Sequence, residues 1–184
     1  MTRVWLIRHG ASTAAPGLAI GVSDPPLSDL GRAQARSLAG GLAARPLVRV
    51  ISSDLRRALE TATIIAAPHR LVVESTSALR EIDFGTWEGR DLRALWWVDS
   101  AAARAWEQDV RLTPEAFGET VDDVERRVAA FWKQGEPLPA TGEIAIVAHG
   151  GSLAALRTLI SHEPIAATIA SRLDLGAVVG LDAG

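Results

Sequence analysis

Short apolar runs alternate with longer amphipathic segments along the chain. Residues 4–7, 47–51, 71–74 and 143–148 are runs of strand length, rich in residues that favour strands. A last strand is predicted around residues 177–181. In several of these runs apolar and polar residues do not alternate, which is typical of strands buried on both faces of a parallel sheet.

Helical periodicity occupies much of the sequence between these strands. Ser28 or Asp29 is expected to cap the first helix, and Ser53 or Asp54 the second, because short polar side chains satisfy free N–H groups there. The predicted helices cover residues 29–44, much of 90–112, and segments that follow residues 54, 120, 149 and 164. This alternation predicts an α/β three-layer sandwich, a mostly parallel sheet with helices on both faces, as a single domain over residues 1–184.

The composition limits the classes of function. The 184 residues carry a net charge of -3 and are 48% hydrophobic, which is ordinary for a globular protein and argues against a nucleic-acid partner. There is no cysteine, so disulfides, thiolate metal sites and a cysteine nucleophile are excluded. No signal peptide or membrane span is recognisable, so we expect a cytoplasmic protein without a membrane partner.

Two of the predicted strands end in the same polar pattern. Residues 4–7 run into Arg8, His9 and Gly10, and residues 143–148 run into His149 and Gly150. In an open parallel sheet, ligands bind beyond the carboxyl ends of the strands. We therefore expect both histidines at one edge of the sheet, although a lone histidine is more often a core residue.

Two arginines in the first turn of the second predicted helix add positive charge to this edge. A cation at a helix N-terminus is unfavourable by roughly 0.3–1 kcal/mol. Arg56 and Arg57 are therefore explained if an anion binds there, since helix N-termini are natural phosphate sites. The alternative is that both extend into solvent or pair with acids. A pocket with Arg8, Arg57 and two histidines suits a phosphoryl group, whose transfer depends on positioning and charge stabilisation.

An acidic segment and a tryptophan-rich segment follow. Residues 79–89 contain Glu81, two aromatic residues and two glycines. A carboxylate held beside aromatic rings can act as a general acid, and the alternative is a plain turn with a core Phe and Trp. Trp96, Trp97 and Trp106 are interpreted as a satellite core rather than a cover over the site.

These clusters together resemble the motifs of the histidine phosphatase superfamily, the phosphoglycerate-mutase-like proteins. The resemblance extends over nearly the whole chain. The motifs that carry it are Leu6-Ile7-Arg8-His9-Gly10, the segment 25–35, Ser53-Asp54-Leu55-Arg56-Arg57-Ala58, Leu79-Arg80-Glu81 through Trp87-Glu88-Gly89, and Ala148-His149-Gly150-Gly151.

The resemblance implies roles for individual residues. His9 would be the nucleophile that becomes phosphohistidine, and Glu81 would protonate the leaving group and then activate water. Arg8, Arg57 and His149 would hold the phosphoryl oxygens, with Arg57 preferred over Arg56 because it precedes the alanine of the motif. Gly21, Gly150 and Gly151 would line the pocket. The family needs no metal, and no cofactor is expected.

Departures from the motifs bear on the substrate. Many relatives have an acid at the position of Ala11 and Trp-Asn at Ala14 and Ala15. Their loss disfavours the sugar-phosphate mutase substrates, and residues 15–27 resemble α-ribazole-phosphate phosphatases. We expect a phosphomonoesterase for a small phosphorylated metabolite. The alternatives are a cofactor-dependent phosphoglycerate mutase, a non-catalytic phospho-ligand binding module, and a metal hydrolase that uses His9, His149, Glu81 and Asp83. A homodimer is one alternative for the oligomeric state.

Overall fold

A five-stranded sheet lies at the centre of the protein. The computed structural model describes residues 2–94, 100–134, 139, 141–171 and 173–183. The strands are β1 (Thr2–Arg8), β2 (Leu47–Ser53), β3 (Val73–Thr76), β4 (Glu143–Ala148) and β5 (Val178–Ala183). Their order is β3-β2-β4-β1-β5, and only β5 at the edge is antiparallel among the described strands. The predicted fold class, a mostly parallel α/β sheet, is confirmed.

The sheet separates two apolar cores, which explains its uninterrupted apolar runs. Ile144 and Ile146 of β4 pack into the core on one face, whereas Ala145 and Val147 pack into the core on the other. Successive side chains of a strand point to opposite faces, so a strand covered on both faces is apolar at every position. All six residues of β4 are buried, as the pattern predicts.

The helices cover both faces of the sheet. They are α1 (Asp29–Leu42), α2 (Arg56–Ala66), α3 (Ser100–Gln108), α4 (Val121–Gln134), α5 (Gly150–Ser161) and α6 (Ile165–Ala170). Helices α1 and α2 pack together, and α4 packs on α5. Ser28 caps α1 as predicted, and its Oγ accepts a hydrogen bond from Gly31 N at 3.1 Å. No helix in the described ranges is long and apolar enough to cross a membrane.

The predicted cap of α2 is wrong. The N-cap residue is Leu55, not Ser53 or Asp54, and its side chain makes no capping hydrogen bond. Instead, Oδ1 of Asp24 accepts the backbone N–H of Arg56 at 2.6 Å. A carboxylate from the β1–α1 loop therefore takes the place of a local cap, which ties that loop to the start of α2.

The segment after β1 packs tightly against α1. A Cβ atom on Gly10 would lie 2.5 Å from the carbonyl oxygen of Gly31, so the two backbones approach at a distance that only glycine permits. Gly10 N donates to Oγ1 of Thr61 at 3.1 Å, and Ala11 N donates to Oε1 of Gln34 at 2.8 Å. These contacts hold the backbone immediately after the predicted nucleophile, His9, in one conformation.

Candidate active site

The two histidines meet because β1 and β4 are paired in register. Arg8 pairs with Ala148, and the next backbone contact is a 3.1 Å hydrogen bond from His9 N to Ala148 O. His9 and His149 are therefore the first residues beyond two neighbouring parallel strands. Their ring centroids lie 4.9 Å apart, at an angle of 58°. The structure thus brings both predicted histidines to one edge of the sheet.

His9 is held as a neutral imidazole with a defined tautomer. Its Nδ1 lies 2.7 Å from the carbonyl oxygen of Gly10, which can only accept, so Nδ1 carries the proton. The other ring nitrogen, Nε2, accepts a hydrogen bond from Nε of Arg57 at 3.3 Å. Burial, with added repulsion from Arg57 and Arg8, lowers the pKa of His9 to about 3. Nε2 therefore presents a lone pair at neutral pH.

Arg57 is almost fully buried beside this nitrogen. Its Nη1 donates to Ser23 O at 2.7 Å, and its Nη2 donates to Gly21 O at 2.8 Å. Burial lowers the pKa of Arg57, and the charges of Glu81, Asp24 and Glu88 act in the opposite direction. Its neighbour Arg56 is exposed. The structure therefore places Arg57, and not Arg56, beside His9.

His149 is completely buried and incompletely satisfied. Among the described residues, neither of its ring nitrogens has a hydrogen-bond partner. Burial, with added charge repulsion from His9, Arg57 and Arg8, lowers the pKa of His149 well below its usual value. A buried polar group without a partner is costly, and an oxyanion between the two rings would supply the missing partner. Arg8 reaches the same site, and its Nη1 donates to Leu173 O at 2.8 Å.

Glu81 lies against the N-terminus of α5. Its Oε1 accepts hydrogen bonds from Gly151 N at 2.9 Å and from Ile82 N at 3.0 Å. A Cβ atom on Gly151 would lie 2.6 Å from this oxygen, so glycine is needed for the contact. Gly150 and Gly151 both line the cavity described below, next to Glu81 and Arg8.

Arg127 fastens the loop that carries Glu81, a role that the sequence analysis missed. Its Nη1 donates to Ala78 O at 2.7 Å and its Nη2 to Glu81 O at 3.2 Å. Nε and Nη2 also form a two-pronged ion pair with Glu119, at 2.6 and 2.9 Å. On sequence grounds Arg127 is one of several cations on α4, and only its contacts distinguish it.

Gly21 is placed differently from the expectation that it lines the pocket. It is buried and is not among the described lining residues. Its N–H is taken by the carboxylate of Glu88 at 2.9 Å, and its carbonyl oxygen by Arg57. A Cβ atom there would lie 2.1 Å from Ile82 O. The carbonyl oxygen of Gly21 therefore helps to hold the Arg57 guanidinium in place, whereas its N–H is bonded to Glu88 and is not available to a ligand.

A cavity of about 380 Å³ opens in front of these residues. Arg8, His9, Arg57 and Glu81 line it, together with many apolar side chains. Trp106 fits both the satellite core that the sequence predicts and the alternative, a cover over the site. It lines the cavity and also makes an edge contact with Phe117, at 5.3 Å between ring centroids. Trp96 and Trp97 lie outside the described residues.

The arrangement of acids does not support the metal-hydrolase alternative. Oδ1 of Asp83 accepts the N–H of Gly85 at 2.8 Å, which uses this carboxylate in a turn. Within the described ranges, no group of three or more His, Asp or Glu residues is arranged to hold a metal ion.

Comparison with known proteins agrees with this geometry. The model of the histidine phosphatase superfamily (branch 1) matches residues 4–183. The chain belongs to this superfamily. The predicted family and the predicted enzyme class, a phosphoric monoester hydrolase of the histidine phosphatase type, are therefore confirmed.

Several proteins named as phosphatases resemble this histidine phosphatase over most of its length. A glucosyl-3-phosphoglycerate phosphatase of Mycolicibacterium vanbaalenii is 34% identical over 170 residues, 89% of this chain and 76% of the relative. An adenosylcobalamin/α-ribazole phosphatase of Salmonella typhimurium is 31% identical over 181 residues, which cover 98% of this chain and 90% of the relative. The structure of a mycobacterial glucosyl-3-phosphoglycerate phosphatase in complex with VO3 superposes on this chain with a TM-score of 0.85, at 32% sequence identity. The match covers 99% of this chain and 93% of the mycobacterial chain.

Proposed function

We propose that this histidine phosphatase hydrolyses a small phosphomonoester through a covalent phosphohistidine on His9. The catalytic set is His9, Arg8, Arg57, His149 and Glu81. Residues 1–184 are proposed to form one catalytic domain, which agrees with the pairing of β1 with both β4 and β5. The homodimer stays a prediction.

The observation that carries the proposal is the state of the His9 ring. The Gly10 carbonyl fixes the proton on Nδ1, and burial keeps the ring neutral, so Nε2 is a nucleophile without prior deprotonation. The same atom lies beside the guanidinium of Arg57. A phosphoryl group that reaches Nε2 therefore meets a fixed positive charge where its oxygens gain charge.

The reaction follows in two steps. Nε2 of His9 forms a bond to phosphorus as the P–O bond to the alcohol breaks, and protonated Glu81 gives its proton to the departing oxygen. A water oxygen then attacks the phosphohistidine, and the Glu81 carboxylate takes the water proton as the N–P bond breaks. The products are alcohol, phosphate and the original neutral His9. Arg8, Arg57 and His149 stabilise the phosphoryl oxygens in both steps.

One substrate can be proposed within the class of small phosphomonoesters. Relatives are named for α-ribazole phosphate and for glucosyl-3-phosphoglycerate, and we propose α-ribazole phosphate as the first candidate. Ala14 and Ala15 line the cavity where the resemblance expects Trp-Asn in mutases, and this supports hydrolysis over phosphoglycerate mutation.

Trapping the intermediate tests the proposal. The protein is mixed with a ³²P-labelled phosphomonoester, quenched in alkali and digested. Acid-labile, alkali-stable label on the peptide that contains His9 is expected, and none in His9→Ala. Substrate turnover by folded His9→Ala, or label elsewhere in the chain, would contradict the proposed mechanism. Stoichiometric binding of phosphate esters without label or turnover would favour the non-catalytic binding module.

A further inference from the structure

The charges around the cavity are unevenly divided between its walls. The charged side chains among its described lining residues are Arg8, Arg57, Glu81 and Glu125. Both cations contact the proposed phosphoryl site, since Arg57 lies at His9 and Arg8 lies beside Gly150. Glu125 comes from α4, on which the neighbouring lining residues Val121 and Val124 are apolar. The wall that α4 supplies therefore offers an acid and no described cation.

This acid belongs to a group with an excess of negative charge. Nη1 of Arg111 lies 3.0 Å from Oε2 of Glu125 and also pairs with Asp122. One guanidinium is thus shared between two carboxylates. Arg111 and Asp122 are largely exposed, whereas the Glu125 side chain is about three-quarters buried. Arg111 therefore has no positive charge to spare for a ligand, and Glu125, the more buried of the two acids, is the charged group of this set that faces the cavity.

The rest of this wall is apolar. It is formed by Phe84, Leu92, Trp106, Val124 and Ile169 among others. A cavity of about 380 Å³ is within the usual range for small-molecule sites, so an alcohol of moderate size fits with its phosphate at His9. Apolar walls favour a hydrocarbon or aromatic group, and a carboxylate acceptor favours a hydroxyl or amine donor.

We infer that the pocket selects phosphate esters of uncharged, largely apolar alcohols, and that Glu125 is the residue that excludes esters carrying a carboxylate. The inference rests on the proposed phosphatase function and adds its substrate class. Glu125 accepts a hydrogen bond from a hydroxyl or amine of the alcohol, and it repels a second anion on the substrate. Selectivity of this kind uses repulsion as well as attraction.

A matched pair of esters tests the charge selection. Glycerol 3-phosphate and 3-phosphoglycerate differ only in a hydroxymethyl group against a carboxylate. We expect kcat/KM of the wild type to favour glycerol 3-phosphate by about tenfold or more. Glu125→Gln should reduce this ratio by about tenfold. Asp122→Asn is the control, because Asp122 belongs to the same ion-pair set but is exposed and is not a described lining residue, so the loss of its solvent-screened charge should change the ratio by no more than about twofold.

A second pair tests the apolar wall. The wild type should bind 2-phenylethyl phosphate with a KM about tenfold or more below that of ethyl phosphate. A wild-type preference for 3-phosphoglycerate, equal effects of Glu125→Gln and Asp122→Asn, or no gain from the phenyl group would each overturn the inference. If no ester, nitrophenyl phosphate included, is hydrolysed by the wild type, the phosphatase proposal itself fails, and that result is distinct from failed selectivity.

Discussion

Nε of Arg57 lies 3.3 Å from Nε2 of His9, so a buried guanidinium contacts the ring nitrogen proposed to attack phosphorus. In the free protein this contact holds the lone pair in place and disfavours a proton on it. With a phosphoryl group at Nε2, the N–H of Arg57 has a phosphoryl oxygen as its better partner, because an anionic acceptor bonds a guanidinium more strongly than a neutral ring does. Arg57 therefore belongs to both the nucleophile and the phosphoryl site.

Arg57→Ala should weaken inhibition by orthovanadate more than inhibition by phosphate. Vanadate can take the five-coordinate geometry of the transition state. If Arg57 stabilises the transition state more than the ground state, it stabilises bound vanadate more than bound phosphate. We expect a loss of about a hundredfold for vanadate and about tenfold for phosphate, measured as competitive inhibition constants. The exposed neighbour gives the control, and Arg56→Ala should change both constants by less than about threefold. Equal losses for the two anions in Arg57→Ala would show that Arg57 provides uniform binding only.

Stability should fall as the pH is lowered from neutrality, in part through His9. Histidine titrates near 6.5 when unfolded, whereas the folded pKa of His9 is about 3. Between these values the unfolded chain binds a proton that the folded protein does not, so the contribution is present above pH 6.5 and is lost as the pH falls towards 3. For one such histidine the loss between pH 7 and pH 5 is about 2 kcal/mol. In urea unfolding, the free energy of unfolding of His9→Asn should therefore fall by about 2 kcal/mol less than that of the wild type between pH 7 and pH 5. Parallel curves for the two proteins would contradict the burial of a neutral His9.

Much of this site could be predicted because its parts lie next to recognisable elements. His9 and His149 each follow an apolar run, and strand pairing in register brings them together. The placement of Gly21 could not be predicted, since it depends on Glu88 and Ile82, more than sixty residues away. The prediction of the α2 cap was wrong for the same reason, because the residue that accepts the Arg56 N–H is Asp24, which comes from another loop. Arg127 gave no signal, because an arginine on a helix surface is ordinary until its partners are known.

Glu81→Gln should slow phosphoenzyme formation from an alkyl phosphate by about 10²–10⁴-fold, the usual contribution of a general acid. Formation from nitrophenyl phosphate should slow far less, because nitrophenolate leaves without a proton. The pre-steady-state burst is the measurement, since the hydrolysis step also uses Glu81. His9→Ala is the control and should abolish the burst with both esters. If Glu81→Gln lowers both burst rates by one factor, Glu81 is not the acid.

Gly151→Ala should impair the same step without removing a charge. The added Cβ atom would lie 2.6 Å from Oε1 of Glu81, so the carboxylate must move. We expect the alkyl phosphate burst to slow by about tenfold, with a smaller effect on nitrophenyl phosphate. At Gly150 the corresponding Cβ atom would lie 3.4 Å from Oε2 of Glu81, which is an ordinary contact. Gly150→Ala should therefore preserve the ratio of the two burst rates. The role of the Gly151 contact is rejected if both variants change this ratio alike.

Arg127→Met should act through Glu81, because Arg127 donates to the Glu81 carbonyl and to Ala78 O but does not line the cavity. We expect the burst with an alkyl phosphate to slow by about tenfold, and the burst with nitrophenyl phosphate to change little. Partial unfolding would lower both burst amplitudes together, so the ratio of rates separates positioning from stability. Arg126→Met is the matched control, since Arg126 is exposed and pairs only with Asp123 among the described residues.

A double mutant decides whether Arg127 and Glu81 act as one unit. If Arg127 only positions the acid, it has nothing left to position once the acid is gone. Arg127→Met combined with Glu81→Gln should then form the phosphoenzyme from an alkyl phosphate no more slowly than Glu81→Gln alone, because effects of coupled residues do not add. If the two effects multiply instead, Arg127 acts independently of Glu81, and its contacts with the acid loop serve stability rather than proton transfer.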